Sequence, residues 1–390
     1  MNRTRSFFAL PALASALCVN AQLTVQNTLT PAQLVSALLT GQGINVSNVT
    51  LNGQPGNTVN DQVASFNGAN SNIGFTEGII LCTGKAIMAA GPNNNPSLQI
   101  APANPWNQRD PDLDRLSGYA QSGVVALEFD FVPTGDSVSF RFIFGSEEYN
   151  EFVCTQYNDV FGFFLSGPGI SGIYTNNAVN LGSVPNKPDI AVSVNTINSG
   201  SPGPGREASR CAARDPDWRA NSIYYVNNPM PLPPPFPPPD TTTVQFNGFT
   251  VPLRARARVQ CGETYHIKMI IANIFDSNRD SGVFIEGHSF SSSGSLTTQV
   301  TLPFNDPALT EGCGNATVTI TRDGTANDAT VDLAYGGTAS SDVEGTPSTL
   351  VILPDRPPLR SASAPSPTAW PNPPSTCRSS PPTRAIAAIP

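Results

Sequence analysis

SFRFIFGSEEYNEFVCTQYNDVFGFFLSGPG, residues 139–169, decides the reading of the fold. Val138, Phe140, Phe142 and Phe144 alternate with Ser139, Arg141 and Gly145, the period of a strand with one buried face, and Val160 to Leu165 repeats the apolar pattern. Between the two strands stand Glu147, Glu148, Glu151, Asn158 and Asp159, with no Lys or Arg to neutralise them. Ca2+ takes six to eight oxygen ligands in irregular geometry, so carboxylates crowded on one loop are candidate ligands for it. A solvated acidic loop is the competing reading.

A second oxygen-rich group lies in NIFDSNRDSGVFIEG, residues 273–287. Asn273, Asp276, Asn278 and Asp280 fall near alternate positions, but the central Gly and terminal Glu of an EF-hand loop are misplaced and Arg279 sits among them. A solvated hairpin turn competes here too. The candidate Ca2+ ligands are thus Glu147, Glu148, Glu151, Asp159, Asp276 and Asp280.

The amino terminus sets the compartment. Arg3 and Arg5 precede an apolar stretch from Phe7 to Val19, and Val19-Asn20-Ala21 then supplies the pattern of a secretory signal cleaved after Ala21. No later run approaches the roughly 20 apolar residues of a membrane-spanning helix. Beyond Cys18, the cysteines Cys82, Cys154, Cys211, Cys261, Cys313 and Cys377 are widely spaced. In an exported chain that spacing favours disulfides, and no C-x-x-C or Cys/His cluster speaks for zinc. Connectivity stays open in the sequence; Cys154 with Cys211 is the preferred pair, both falling in the loop-rich half of one domain. A net charge of −8 and the lack of a basic stripe argue against a nucleic-acid partner.

With 38 Pro, 32 Gly and only 13% charged residues, the chain has the composition of short strands joined by many turns rather than of helices. One short helix is expected at TPAQLVSALL, with Thr30 as N-cap, Pro31 at its first position and an end at Gly41. Strands are expected at Ile44 to Leu51, Gly78 to Leu81, Val124 to Val132, Val138 to Phe144, Val160 to Leu165, Ile190 to Val194, Thr264 to Ala272 and Val283 to Phe290. The fold class is mainly β: a large jelly-roll-like β-sandwich over 22–295, a partial sandwich module over 296–355, and a Pro/Arg/Ser-rich tail over 356–390. That tail has no Asp or Glu and no periodicity, and reads as disordered or as the product of a changed reading frame. The proline run from Pro229 to Pro239 reads as an inserted loop. Arg254, Arg256 and Arg258 make one strand face basic, which edge protection explains as well as ligand binding does.

Three blocks carry a family resemblance: FNGANSNIGFTEGIILCTG at 66–84, FGSEEYNEFV with NDVFGFFLSGPG between 144 and 169, and CGETYHIKMIIAN with DSGVFIEGHSF between 261 and 290. Together they resemble the choice-of-anchor L domain of bacterial secreted and surface proteins. The resemblance implies display at the cell surface or secretion, and it transfers no enzymatic activity and no residue roles. CGNATVTITRDGTANDATVDLAYGGTASSDVEGTPSTLVILP, residues 313–354, resembles the opening half of a Calx-beta domain. That resemblance implies Ca2+ binding through loop carboxylates, here Asp342 and Glu344, although most of the second half is missing or replaced by the tail.

Catalysis has few candidate groups. His266 and His288 are the only histidines, each inside a strand pattern, and no G-x-S-x-G, P-loop or G-x-G-x-x-G signature accompanies them. The expected role is therefore a non-catalytic one, adhesion, display or binding to extracellular matrix, a cell-surface protein or a glycan, with Ca2+ as stabiliser. Two alternatives remain: a lectin-like sugar binder, and a glycoside hydrolase using Glu147 and Glu148, or Glu151 and Asp159, as its acid pair.

Overall fold

The computed structural model describes residues 22–230 and 243–293, together with the backbone of five short strands beyond them. The expected signal sequence, most of the proline run, Cys313, Cys377, Asp342, Glu344 and nearly all of the tail lie outside the described residues.

Two antiparallel sheets face each other. The first runs in the order Thr24–Gln26 (β1), Val63–Asn67 (β4), Glu77–Cys82 (β5), Ser281–Glu286 (β16), Ser137–Ser146 (β7), Gly248–Thr250 (β13) and Tyr225–Asn227 (β12). Leu253–Arg258 (β14) and Ser291–Ser293 (β17) also pair with β7. The second runs Gln54–Pro55 (β3), Ile44–Leu51 (β2), Gln121–Pro133 (β6), Tyr265–Ile274 (β15), Val160–Ser166 (β8) and Val179–Asn180 (β9). A small hairpin, Ser183–Val184 (β10) with Lys187–Ala191 (β11), follows β9. Further on, Thr317–Arg322 pairs with Leu296–Thr301 and Ser361–Ser363, and Ala329–Asp332 with Thr349–Ile352.

Phenylalanine fills the space between the sheets. Phe140, Phe142 and Phe144 of β7 interdigitate with Phe161 and Phe163 of β8, with ring centroids 4.9–5.5 Å apart. Phe129 and Phe131 of β6 meet Phe290 in the same layer, at 5.2 and 5.1 Å. Edge-on and stacked pairs of this kind add to the stabilisation that burial of the rings already provides.

The expectation of one buried face on β7 is corrected by its surroundings. Its opposite face is also covered over the carboxy-terminal half, where Ile143 packs with Ile80, Phe284, Phe246 and Phe249 in a second core. A third core lies outside the other sheet, where Leu113 covers Val124, Ala126, Phe164 and Ile270. Leu113 belongs to Pro111–Ser117 (α2), a helix the apolar pattern did not signal, started by Asp110 as N-cap and ended by left-handed Gly118.

The expected amino-terminal helix is present as Pro31–Gln33 (α1) continuing into a π-helical turn, Leu34–Leu39. Thr30 and Gln33 cap each other reciprocally, as a Thr-x-x-Gln sequence permits. A third helix, Ser209–Arg214 (α3), follows the Gly/Pro-rich stretch. The strand expected at Ile190 to Val194 is instead Lys187–Ala191, because Val192, Val194 and Ile197 turn inward as a buried loop. His288 is not in a strand: β16 ends at Glu286, and His288 occupies a turn at φ 56°. Among the described residues, no helix is long and apolar enough to cross a membrane.

Candidate functional site

Two loops meet at one end of the sandwich. The acidic segment leaves β7 at Ser146 and enters β8 at Val160, and the hairpin of residues 275–280 joins β15 to β16. Because β7 pairs with β16 and β8 with β15, sheet register alone brings the two acidic groups together. The Glu147 amide donates to the Asp280 carbonyl at 3.1 Å.

Four of the six candidate carboxylates are buried here: Glu147, Glu148, Asp159 and Asp280 have at most 3% of their surface exposed. Asp276 is half-buried beside them, and Glu151 is exposed at the rim. Asn158 is buried but its Oδ1 is used elsewhere, accepting from the Asn195 amide at 2.8 Å. Arg279 points to the rim, with its guanidinium over the Phe152 ring and Nη1 donating to Ser97 Oγ at 2.7 Å.

Asp159 has both of its oxygens satisfied. Its Oδ1 accepts from the Ile274 amide at 2.9 Å and its Oδ2 from Ser281 Oγ at 2.6 Å. Asp280 accepts from the Ile100 amide at 2.7 Å and from Thr83 Oγ1 at 3.3 Å, and bonds to the Asn273 amide. Its carboxylate lies where a side chain on Gly84 would begin, 2.0 Å from an added Cβ, so only glycine fits there. Glu147 Oε1 accepts from Gln245 Nε2 at 3.0 Å.

Three oxygens in this cluster have no protein partner despite full burial: Glu147 Oε2, Glu148 Oε2 and Asn273 Oδ1. Burial disfavours the charged form of each acid. It pushes Glu147 up to about 8, helped by the charges of Asp280 and Glu151 and opposed by the Gln245 hydrogen bond. Burial also drives Glu148 upward, together with the charges of Asp159 and Asp276, and raises Asp159 and Asp280. The cluster therefore favours its protonated forms. Among the described residues, no group of three or more Asp, Glu, His or Cys side chains is placed so that it could hold a metal ion.

Around this end runs a chain of ring contacts. Tyr119, Phe275, Tyr157 and Phe152 stand edge to face in sequence, with centroids 5.2–5.9 Å apart. Phe275 is 46% exposed at φ 81°, unusual for a bulky side chain. Behind the rim, Cys154 and Cys211 form a disulfide that ties the acidic loop to α3; Cys82 and Cys261 are free thiols. Asn273 was among the oxygen-rich positions of the second loop; Gln245, Ser281 and Thr83 were not singled out by sequence reasoning, because amides and hydroxyls this common carry no signal without the register that gathers them.

The two histidines lie elsewhere. His266, on the outer face of β15, has Asp130 2.8 Å from Nδ1 and Glu128 3.1 Å from Nε2, and the Glu128 contact with that of Asp130 raises its pKa against the effect of burial. His288 is exposed near Glu77.

No curated protein and no solved structure matches the chain. The family model for the choice-of-anchor L domain matches residues 22–291, which takes in both acidic loops; no family match supports the expected Calx-beta resemblance of residues 313–354. The chain belongs to the choice-of-anchor L domain family and is, by that membership, a surface-associated bacterial protein.

Proposed function

We propose that this chain is a non-catalytic binding module displayed at the cell surface, for adhesion to extracellular matrix, a cell-surface protein or a glycan. Its loop end is held together by Ca2+ bound among Glu147, Glu148, Asp159 and Asp280, with Asp276 beside them. The observation that carries the reading is the burial of these carboxyls with orphaned oxygens. A glycosidase needs its two acids on either side of a substrate bond in an open cleft, and acids at most 3% exposed suit an internal tie better. The orphaned Glu147, Glu148 and Asn273 oxygens are hard donors of the type Ca2+ takes, and such an ion would neutralise the cluster while joining the two loops.

The test is a melting curve at about pH 8 in millimolar Ca2+ and in chelator. An ion at a hundred times its Kd adds about 2.7 kcal/mol, or roughly 5–10 °C in a domain of this size. Glu148→Gln should abolish that difference. Superimposable curves for the unaltered protein would remove calcium from the proposal; hydrolysis of a polysaccharide lost in the same variant would replace display with catalysis.

The ring contacts favour one second reading, a sugar-binding surface in which Phe275 offers its exposed ring to a pyranose. Glycan-array binding that persists in chelator and is lost in Phe275→Ala would support it.

A further inference from the structure

β14 lies along one side of β7 and pairs with no other described strand, so it forms an edge. Leu253, Ala255 and Ala257 turn into the core between the sheets, and Arg254, Arg256 and Arg258 are exposed on the opposite face. Strand geometry spaces the arginines at about 6.6 Å, in line. Arg256 lies opposite Ser139, and Ser139 opposite Ser291, but Ser137 and Ser139 of β7 are buried, so the exposed part of this face is β14 itself. The apolar cover of the outer face stops at Phe75, over whose ring the Arg141 guanidinium sits while it pairs with Glu286. Arg256 and Arg258 have no ion pair among the described residues.

The geometry points to an anionic polysaccharide as the partner of this face. Exposed arginines at strand spacing along an edge, with Arg256 and Arg258 lacking an ion pair among the described residues, complement an extended polymer with a charge on each repeat, and planar guanidinium groups bind carboxylate or sulfate through paired hydrogen bonds. An anionic membrane fits less well. Interfacial binders place large apolar side chains beside their basic residues, and the exposed ones among the described residues, Val59, Ile87, Ile173, Ile223, Met230 and Phe275, all lie outside β7, β14 and β17. Surface display gives the setting in which such a polymer is met. The face stands apart from the acidic cluster, so failure of one leaves the other intact.

Binding of the full chain to alginate, measured by calorimetry at low and at physiological salt, tests the assignment. Neutral dextran, anionic phosphatidylglycerol vesicles and duplex DNA serve as comparison probes. Alginate should bind, and salt should weaken it because the charges are exposed. The double substitution Arg256→Ser and Arg258→Ser should weaken it about tenfold with the melting temperature unchanged, whereas Arg210→Ser, also at an exposed position, should not. Arg254 is kept because it has a partner of its own. Equal alginate affinity in the double variant, equal weakening by Arg210→Ser, or tighter binding to dextran, vesicles or DNA would overturn the proposal. In the first case the arginines would serve only to protect the strand edge, and the double variant would be expected to self-associate.

Discussion

At the scale of single residues, the molecule contrasts two ways of burying charge. Lys268 Nζ lies 2.7 Å from Asp110 and 2.6 Å from Asp112, with 13% of the lysine side chain exposed and less of either acid. The pair is complete, and the Asp112 pKa is held down by Lys268 and Thr175 despite its burial. Lys268→Met should leave Asp112 without its counter-charge and cost about 3–5 kcal/mol in denaturant unfolding. A loss under about 1 kcal/mol would show the acid to be solvated. The Glu147–Glu148–Asp159–Asp280 cluster is the opposite case, with folded pKa values raised above those of the unfolded chain. Native protein then binds more protons than unfolded protein between the two values, so stability falls as pH rises from about 4 toward the folded pKa values. In chelator the melting temperature should drop between about pH 5 and pH 8, and Ca2+ should remove most of the drop because ion binding displaces the protons. A melting temperature independent of pH in chelator would contradict this account.

At the scale of elements, the acidic loop is the part most dependent on a covalent tie. Cys154 and Cys211 are 57 residues apart and join a loop to a short helix, where few strand hydrogen bonds hold the chain. Reduction should cost roughly 3–4 kcal/mol on the chain-entropy model, read as a lower urea midpoint. An unchanged midpoint would mean that the packing of Val153, Cys211 and Trp218 holds the loop unaided. Much at this scale was legible in the sequence. The period-two pattern gave Ile44–Leu51 to the residue and placed β6, β7, β8 and β15 within a few residues. It did not give β4, whose Val63-Ala64-Ser65-Phe66 run is short and without clean alternation. Nor did it give α2, which offers about two turns of Pro-Asp-Leu-Asp-Arg-Leu-Ser with a single fully buried leucine. The second face of β7 was invisible because its cover comes from Phe246 and Phe249, a hundred residues away in the chain. The acids were legible as two loops; their convergence was not, since only the pairing of β7 with β16 and of β8 with β15 makes them neighbours.

At the scale of the molecule, the three cores formed among the described residues run from Leu23 to Phe290. A fragment spanning 22–293 should therefore melt cooperatively at the temperature of the corresponding transition in the full chain, and a shift of more than about 5 °C would show that later segments contribute to its stability. Within that unit β7 holds a special place in the order of synthesis. Its strand partners β13, β14, β16 and β17 all come later in the chain, and the first begins at Gly248. A strand rich in phenylalanine thus leaves the ribosome with neither neighbour yet made. At ordinary rates of synthesis it waits on the order of 10 s before its sheet can assemble, with both backbone edges open to other chains. The Cys154–Cys211 pair, by contrast, is complete in sequence before β13, β14, β16 and β17 are made, so the tie on the acidic loop needs nothing from the strands that finish the sheet on which that loop will rest.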